Sequence, residues 1–210
     1  MLSYFVIKNE DIRFLHMKKI LKVGFDMDGV ILYNPIRFIR PIAKLLKPLK
    51  SFFLKQKSES FYFPKSKIEQ FLFLLLHKTS FKIDPGIKYI NDLVKAKKIK
   101  AYIITGRYSF LKKDYETWLK KINADSIFEK CYQNKDDLQP NEFKEKMIKK
   151  LNLDIYIEDN WDIVQKLKKS PLRQGYAGQV KVFWITNILD KNIPYQHKYK
   201  SLQEALQDLK

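Results

Sequence analysis

The sequence predicts an α/β fold: a three-layer sandwich built on a parallel sheet, with a mostly helical segment inserted after the first strand. Three observations carry this. From Ile20 onward, short β-branched or aromatic runs alternate with stretches of helical periodicity. Strands separated by helices are joined by right-handed crossovers, which puts helices on both faces of the sheet. One long stretch, residues 33–83, breaks the alternation: it carries about two helical patterns and no clear sheet strand.

Taken in order, Ile20–Phe25 reads as a buried strand and Ile87–Lys97 as a helix entered through Asp84-Pro85-Gly86. Ala101–Thr105 is a second strand. Leu111–Ile122 is a helix with Leu111, Tyr115, Trp118 and Leu119 on one face. Ile127–Tyr132 reads as a third strand, Asn141–Leu151 as a helix and Ile155–Ile157 as a fourth strand. Trp161–Leu167 is a short helix, Val180–Ile185 a fifth strand and Leu202–Leu209 a closing helix. Pro and Gly cluster in Ser170–Gln179, which reads as a surface loop. The expected partition is an extension over residues 1–18, a Rossmann-like core over 19–34 and 84–210, and an inserted cap over 35–83.

Composition bounds the function classes. The 210 residues are 45% apolar, enough for one packed domain with a sizeable insertion. The single cysteine, Cys131, precludes a disulfide framework within the chain and suits a reducing cytoplasm. No apolar run approaches the roughly 18 residues a membrane span needs, and Lys8, Glu10, Asp11 and Arg13 interrupt any secretory pattern at the start. Lys and Arg number 41 against 23 Asp and Glu. Such an excess fits an anionic partner, or simply a solvated lysine-rich surface. Residues 36–82 hold 11 of the basic residues and 2 acidic ones, half of the net charge of +18. With Phe52, Phe53, Phe61, Tyr62, Phe63, Phe71 and Phe73 in the same stretch, contact with nucleic acid or an anionic membrane is conceivable. A helical cap whose aromatics make its own core is the favoured reading.

Four segments carry chemistry. In Lys22–Val30, Asp26 and Asp28 stand two apart directly after the first strand, where an open α/β sheet binds its ligands, and Gly29 permits a sharp turn. In Ala101–Arg107, Thr105 and Gly106 follow the second strand, and a hydroxyl beside a free backbone N–H there suits a phosphate oxygen. In Asp154–Asn160, the fourth strand ends in Glu158 and Asp159. Carboxylates gathered at adjacent strand ends repel one another unless a cation sits among them, and an all-oxygen donor set suits Mg²⁺. Lys144 lies near a helix start, where the dipole disfavours a cation without a counter-charge. Each segment alone is equally a polar turn or a helix cap. Their joint order along one sheet is what discriminates.

These residues resemble the haloacid dehalogenase superfamily, whose members carry D-x-D, then Thr or Ser, then Lys, then an acidic pair, over about residues 19–34 and 84–168 here. The motifs ITGR, TWLK (Thr117–Lys120) and KEKMIKKLNLDIYIED look most like the 5′-nucleotidase-type branch, and its spacing selects Lys144 over the neighbouring lysines. The resemblance implies a phosphohydrolase. Asp26 would be the nucleophile and Asp28 the acid and base. Thr105 and the Gly106 N–H would bind the phosphoryl group, and Lys144 would neutralise charge. Mg²⁺ would be held by Asp26, the Asp28 carbonyl and Asp159, with Glu158 as a supporting or alternate ligand. The implied substrate is a phosphorylated small molecule, a nucleotide among the candidates. Asp28 favours phosphoryl transfer over dehalogenation, because a halide leaving group needs no acid. A phosphotransferase or phosphomutase would use the same residues, and a basic binding module is the non-enzymatic alternative.

Overall fold

Strands buried on both faces need apolar residues at successive positions, and four runs in this chain supply them. The computed structural model describes residues 19–33, 60–170, 180–186, 190 and 192–209. The elements are β1 (Leu21–Phe25), β2 (Leu32–Tyr33), α1 (Lys67–Lys78), β3 (Lys82–Ile83), α2 (Ile87–Lys95), β4 (Ile99–Thr105) and α3 (Lys112–Lys121). They continue with α4 (Ala124–Ile127), β5 (Lys130–Gln133), α5 (Pro140–Leu151), β6 (Ile155–Glu158), α6 (Trp161–Lys169), β7 (Lys181–Ile185), β8 (Lys198–Tyr199) and α7 (Leu202–Gln207). The 1–18 extension, the first half of the expected cap and the loop over 171–179 lie outside the described residues.

Six strands form one parallel sheet in the order β5-β4-β1-β6-β7-β8. Alternate side chains feed two cores. Val23, Phe25, Ile103, Ile157 and Phe183 face a layer that includes α2, α3 and α7. Ile104, Tyr156, Val182 and Trp184 face α5 and α6. This is the expected three-layer α/β sandwich, with β1 near its middle. Gly24 lets the layers close there: a Cβ on it would come within 2.5 Å of Leu153 Cδ1 and 2.9 Å of the Tyr156 ring. Tyr156 Oη donates to the carbonyl of Ile104 at 3.1 Å.

The structure departs from the sequence reading in three places. The expected strand over 127–132 starts only at Lys130, because Ala124–Ile127 turns as α4, with Ala124 buried. The 33–83 stretch is not without strands: β2 and β3 pair antiparallel, Leu32 opposite Ile83 and Tyr33 opposite Lys82. A short sixth strand, β8, joins the sheet edge parallel to β7. Helix α1 is capped at both ends, with Ser66 and Glu69 forming a reciprocal capping box. Its residues are all at least partly exposed, and Ile68, Phe71, Leu72, Leu75 and Leu76 lie open to solvent. The 61–63 aromatics do not stack as a row. Phe63 meets the ring of Tyr108 edge-on at 4.9 Å, Tyr62 Oη donates to Glu69, and Lys166 lies over Phe61.

Candidate active site

The end of β1 is fixed by its neighbour: the Asp26 N–H donates to the Ile157 carbonyl of β6 at 2.9 Å. Beyond it the chain turns back on itself, with Gly29 N–H donating to Leu32 O at 2.7 Å and Leu32 N–H to Met27 O at 2.8 Å. Met27, Val30 and Ile31 are buried and anchor this turn. Gly29 has φ +86°, and a Cβ there would stand 2.3 Å from Asp159 Oδ2, so only glycine lets the two acidic strand ends meet.

The result is a buried acidic cluster. Asp26, Glu158 and Asp159 offer carboxylate oxygens within 4.8 Å of one another. Lys144, one turn into α5, points its Nζ into the cluster, 3.0 Å from Asp26 Oδ1 and 2.7 Å from Glu158 Oε2. Its side chain is 3% exposed. Both oxygens of Glu158 are engaged: its Oε1 accepts from the backbone N–H groups of Asp159 and Asn160, and its Oε2 takes Lys144. The Asp159 carbonyl accepts from the Trp184 indole at 3.2 Å.

Among the described residues, the buried Asp26 and Glu158 share Lys144, with the Asp159 carboxylate beside them. Burial, then the charge of Glu158, push the Asp26 carboxyl well above the usual carboxylate range, and Lys144 does not fully offset them. Burial likewise raises Glu158. Lys144 moves the other way: burial alone would lower it, but Asp26 and Glu158 outweigh that and hold it charged. An all-oxygen, buried, acidic donor set of this kind fits a hard divalent cation such as Mg²⁺.

Asp28 is not part of that cluster. Its carboxylate turns away to Arg107, which grips it with Nε at 2.7 Å and Nη2 at 2.8 Å. Ser80 Oγ donates to Asp28 Oδ1 at 2.9 Å, and His77 Nδ1 stands 3.3 Å from Oδ2. Arg107 is itself fully buried and also binds Asp114. Burial alone would raise the Asp28 carboxyl, but the Arg107 guanidinium outweighs it and holds the group well below the usual carboxylate range.

Thr105 ends β4, the other neighbour of β1, and is 1% exposed. Its Oγ1 accepts from the Arg107 N–H at 3.3 Å. Gly106 lies against Pro140, the first residue of α5. Every residue singled out in the sequence therefore lies at the carboxyl end of β1, β4 or β6, or on the first turns of α5. Sequence reasoning missed Arg107, Ser80, His77 and Asp114. Arg107 stood in the ITGR motif but was given no role. The others carry no local signal; Ser80, for one, lies 52 residues from Asp28.

No family model matches the chain, and no curated protein matches it. Solved structures do. A Thermotoga maritima protein assigned as a β-phosphoglucomutase superposes with TM-score 0.54 at 17% identity, over 90% of this chain and 98% of that one. CbbY from Rhodobacter sphaeroides, solved in complex with phosphate, gives 0.54 at 14% identity over 89% and 96%. The β-phosphoglucomutase of Clostridium difficile gives 0.51 at 16% identity over 91% and 97%. With its sheet order and the acidic cluster at its central strand ends, the chain has the α/β fold of the haloacid dehalogenase superfamily.

Proposed function

We propose that the protein is a Mg²⁺-dependent phosphomonoester hydrolase of the haloacid dehalogenase superfamily that works through an aspartyl-phosphate on Asp26. The observation that carries this is the buried Asp26 carboxylate at the end of a central strand, 3.0 Å from the Lys144 ammonium and crowded by two further carboxylates. A nucleophile in that position attacks phosphorus in line, and the P–O bond to the leaving alcohol breaks. Asp28 supplies the proton to the leaving oxygen. It then takes one from water, whose oxygen displaces Asp26 from phosphorus and releases phosphate. The ionised Asp28 is the form the second step needs; the first requires it to take up a proton against the pull of Arg107.

Thr105 and the Gly106 N–H bind the transferring phosphoryl group. Lys144 offsets charge as two anions approach. At 4 Å two unit charges repel by ~4 kcal/mol even at an effective dielectric near 20, so an attack without nearby cations fails. Asp26, Asp159 and the Asp28 carbonyl would hold Mg²⁺. Glu158, with both oxygens already engaged, fixes Lys144 and the β6 turn instead. Bound Mg²⁺ would offset the negative charge of the phosphoryl oxygens and so ease the approach of Asp26 to phosphorus.

The segment over 35–83 is proposed as the cap that selects the substrate, a phosphorylated small molecule with nucleotides as one candidate class, in the cytoplasm. Among the described residues no helix is long and apolar enough to cross a membrane. The test is phosphate release from a panel of nucleoside monophosphates, sugar phosphates and phosphorylated lipids, with Mg²⁺ and with excess EDTA. We expect release that EDTA abolishes and that Asp26→Asn lowers more than about a hundredfold, ~2.7 kcal/mol of barrier. Full activity in EDTA, or in Asp26→Asn, sinks the reading. Phosphate transfer to an added alcohol in preference to water would identify a phosphotransferase on the same residues.

A further inference from the structure

The contacts around Asp28 do a second job that the catalytic set alone does not require. Two come from the core, through the two arms of Arg107. The other two come from the inserted segment: His77 in the last turn of α1, and Ser80 in the connection from α1 to β3. Ser80 is 2% exposed, whereas no residue of α1 is fully buried. Ring contacts of Phe73 with Tyr108 and Phe110 and the polar contacts with Asp28 tie the end of α1 to the core. The contacts that seat the segment thus also lie on the Asp28 oxygens.

We propose that Ser80 and His77 are positioning residues for Asp28: the inserted segment completes the acid–base centre by fixing its carboxylate against the Arg107 fork. The inference rests on the phosphohydrolase reading. A carboxylate held by a planar bidentate fork alone still has freedom to hinge about the fork. A hydroxyl hydrogen-bonded to one oxygen and an imidazole nitrogen packed 3.3 Å from the other limit that freedom. Proton transfer to a leaving oxygen tolerates little misplacement: an error of about 1 Å costs on the order of a hundredfold. The function assigned to the insertion is therefore not substrate choice alone. It holds half of the contacts that aim the catalytic acid.

Leaving-group dependence tests this. An aryl phosphate such as p-nitrophenyl phosphate expels a stable phenolate and needs little help from an acid; a simple alkyl phosphate needs much. For Ser80→Ala and for His77→Ala, we expect kcat/KM on the alkyl ester to fall about tenfold or more beyond any fall on the aryl ester. His77→Asn, which keeps a donor near the Nδ1 position, should restore part of the alkyl activity. Equal losses on both esters would make the two residues merely structural, and no loss on either would make them irrelevant; both overturn the proposal. So would a gain on the alkyl ester, which would mark the contacts as a brake on proton uptake by Asp28. A readout free of substrate and metal is the NMR signal of the Arg107 Nε–H, expected to shift and to exchange faster in both alanine variants; an unchanged signal overturns the proposal. If the wild-type activity on both esters survives Asp26→Asn, it is the phosphohydrolase reading itself that fails.

Discussion

Replacing Lys144 by Met leaves an unbranched side chain one atom shorter and removes its charge, which makes it a sharp probe of the acidic cluster. The ammonium lies 3.0 Å from Asp26 and 2.7 Å from Glu158 with its side chain 3% exposed, so neither carboxylate gains water in its place. Removing one partner of a buried ion pair costs about 3–5 kcal/mol, because the remaining charge is left uncompensated. For a chain of this size each kcal/mol moves Tm by roughly 2–4 °C, so a drop of about 6–20 °C is expected in EDTA. The pH dependence has a definite sign. Asp26 and Glu158 already have raised carboxyl pKa values, and the substitution raises them further. A carboxyl raised in the folded state binds its proton more tightly there than when unfolded, so stability falls as pH rises from the unfolded value toward the folded one. The deficit of Lys144→Met should therefore be larger at pH 8 than at pH 5. Asp26→Asn removes one of the competing carboxylates and should be neutral or stabilising in the same metal-free buffer. Urea unfolding of the three proteins at both pH values measures all of this. A cost below about 1 kcal/mol for Lys144→Met, or a deficit that shrinks with rising pH, would refute the reading that Lys144 holds Asp26 and Glu158 as buried carboxylates.

Mg²⁺ should stabilise the wild type by about 2.7 kcal/mol at a hundred times its Kd, and Ca²⁺ should do less, since few protein oxygens converge here; thermal shifts read this, and Asp159→Asn should abolish the response. Gly29→Ala should lose at least about 1–2 kcal/mol for its left-handed backbone alone and more for the contact with Asp159, with loss of Mg²⁺ response as the specific sign in a thermal titration. The stability that Asp28 gains from Arg107 should be present near pH 6 and decline as pH falls through its folded pKa, below 3.8. The gap between wild type and Asp28→Asn in urea should therefore narrow toward pH 3, and a gap independent of pH would mean that Asp28 is not held as a carboxylate.

What the sequence makes legible here is whatever a short window encodes. The buried runs before Asp26, Thr105 and Glu158 announce their strands, and the polar residues at their ends announce a site. Pro140 at the first turn of α5 agrees with a helix that begins just ahead of Lys144. Pairing partners are another matter. The Asp28–Arg107 fork depends on β1 and β4 lying side by side, and nothing near either residue states that they do. The two-residue strands β2, β3 and β8 are too short for any alternation to register. The apolar pair Ile127-Phe128 resembles a strand start, but Ala124 is drawn into the core and the segment turns first as a helix. Lys144 was singled out for its awkward place near a helix start, and the structure supplies the counter-charges that the position called for.

The short antiparallel pair of β2 and β3 has a consequence for how this chain can change. Leu32 opposite Ile83 and Tyr33 opposite Lys82 clamp both ends of the excursion between them, and Asp84 N–H donates to Ile31 O just behind the clamp. With its ends pinned together, that excursion is a closed loop as far as the sheet is concerned. Halving or doubling its length alters the closure entropy by only ~0.6 kcal/mol. The register of β1 against β4 and β6 is therefore insulated from whatever occupies the loop. Insertions, deletions and wholesale grafts between Tyr33 and Lys82 are the changes this architecture should tolerate best, provided that a hydroxyl and an imidazole still arrive at Asp28.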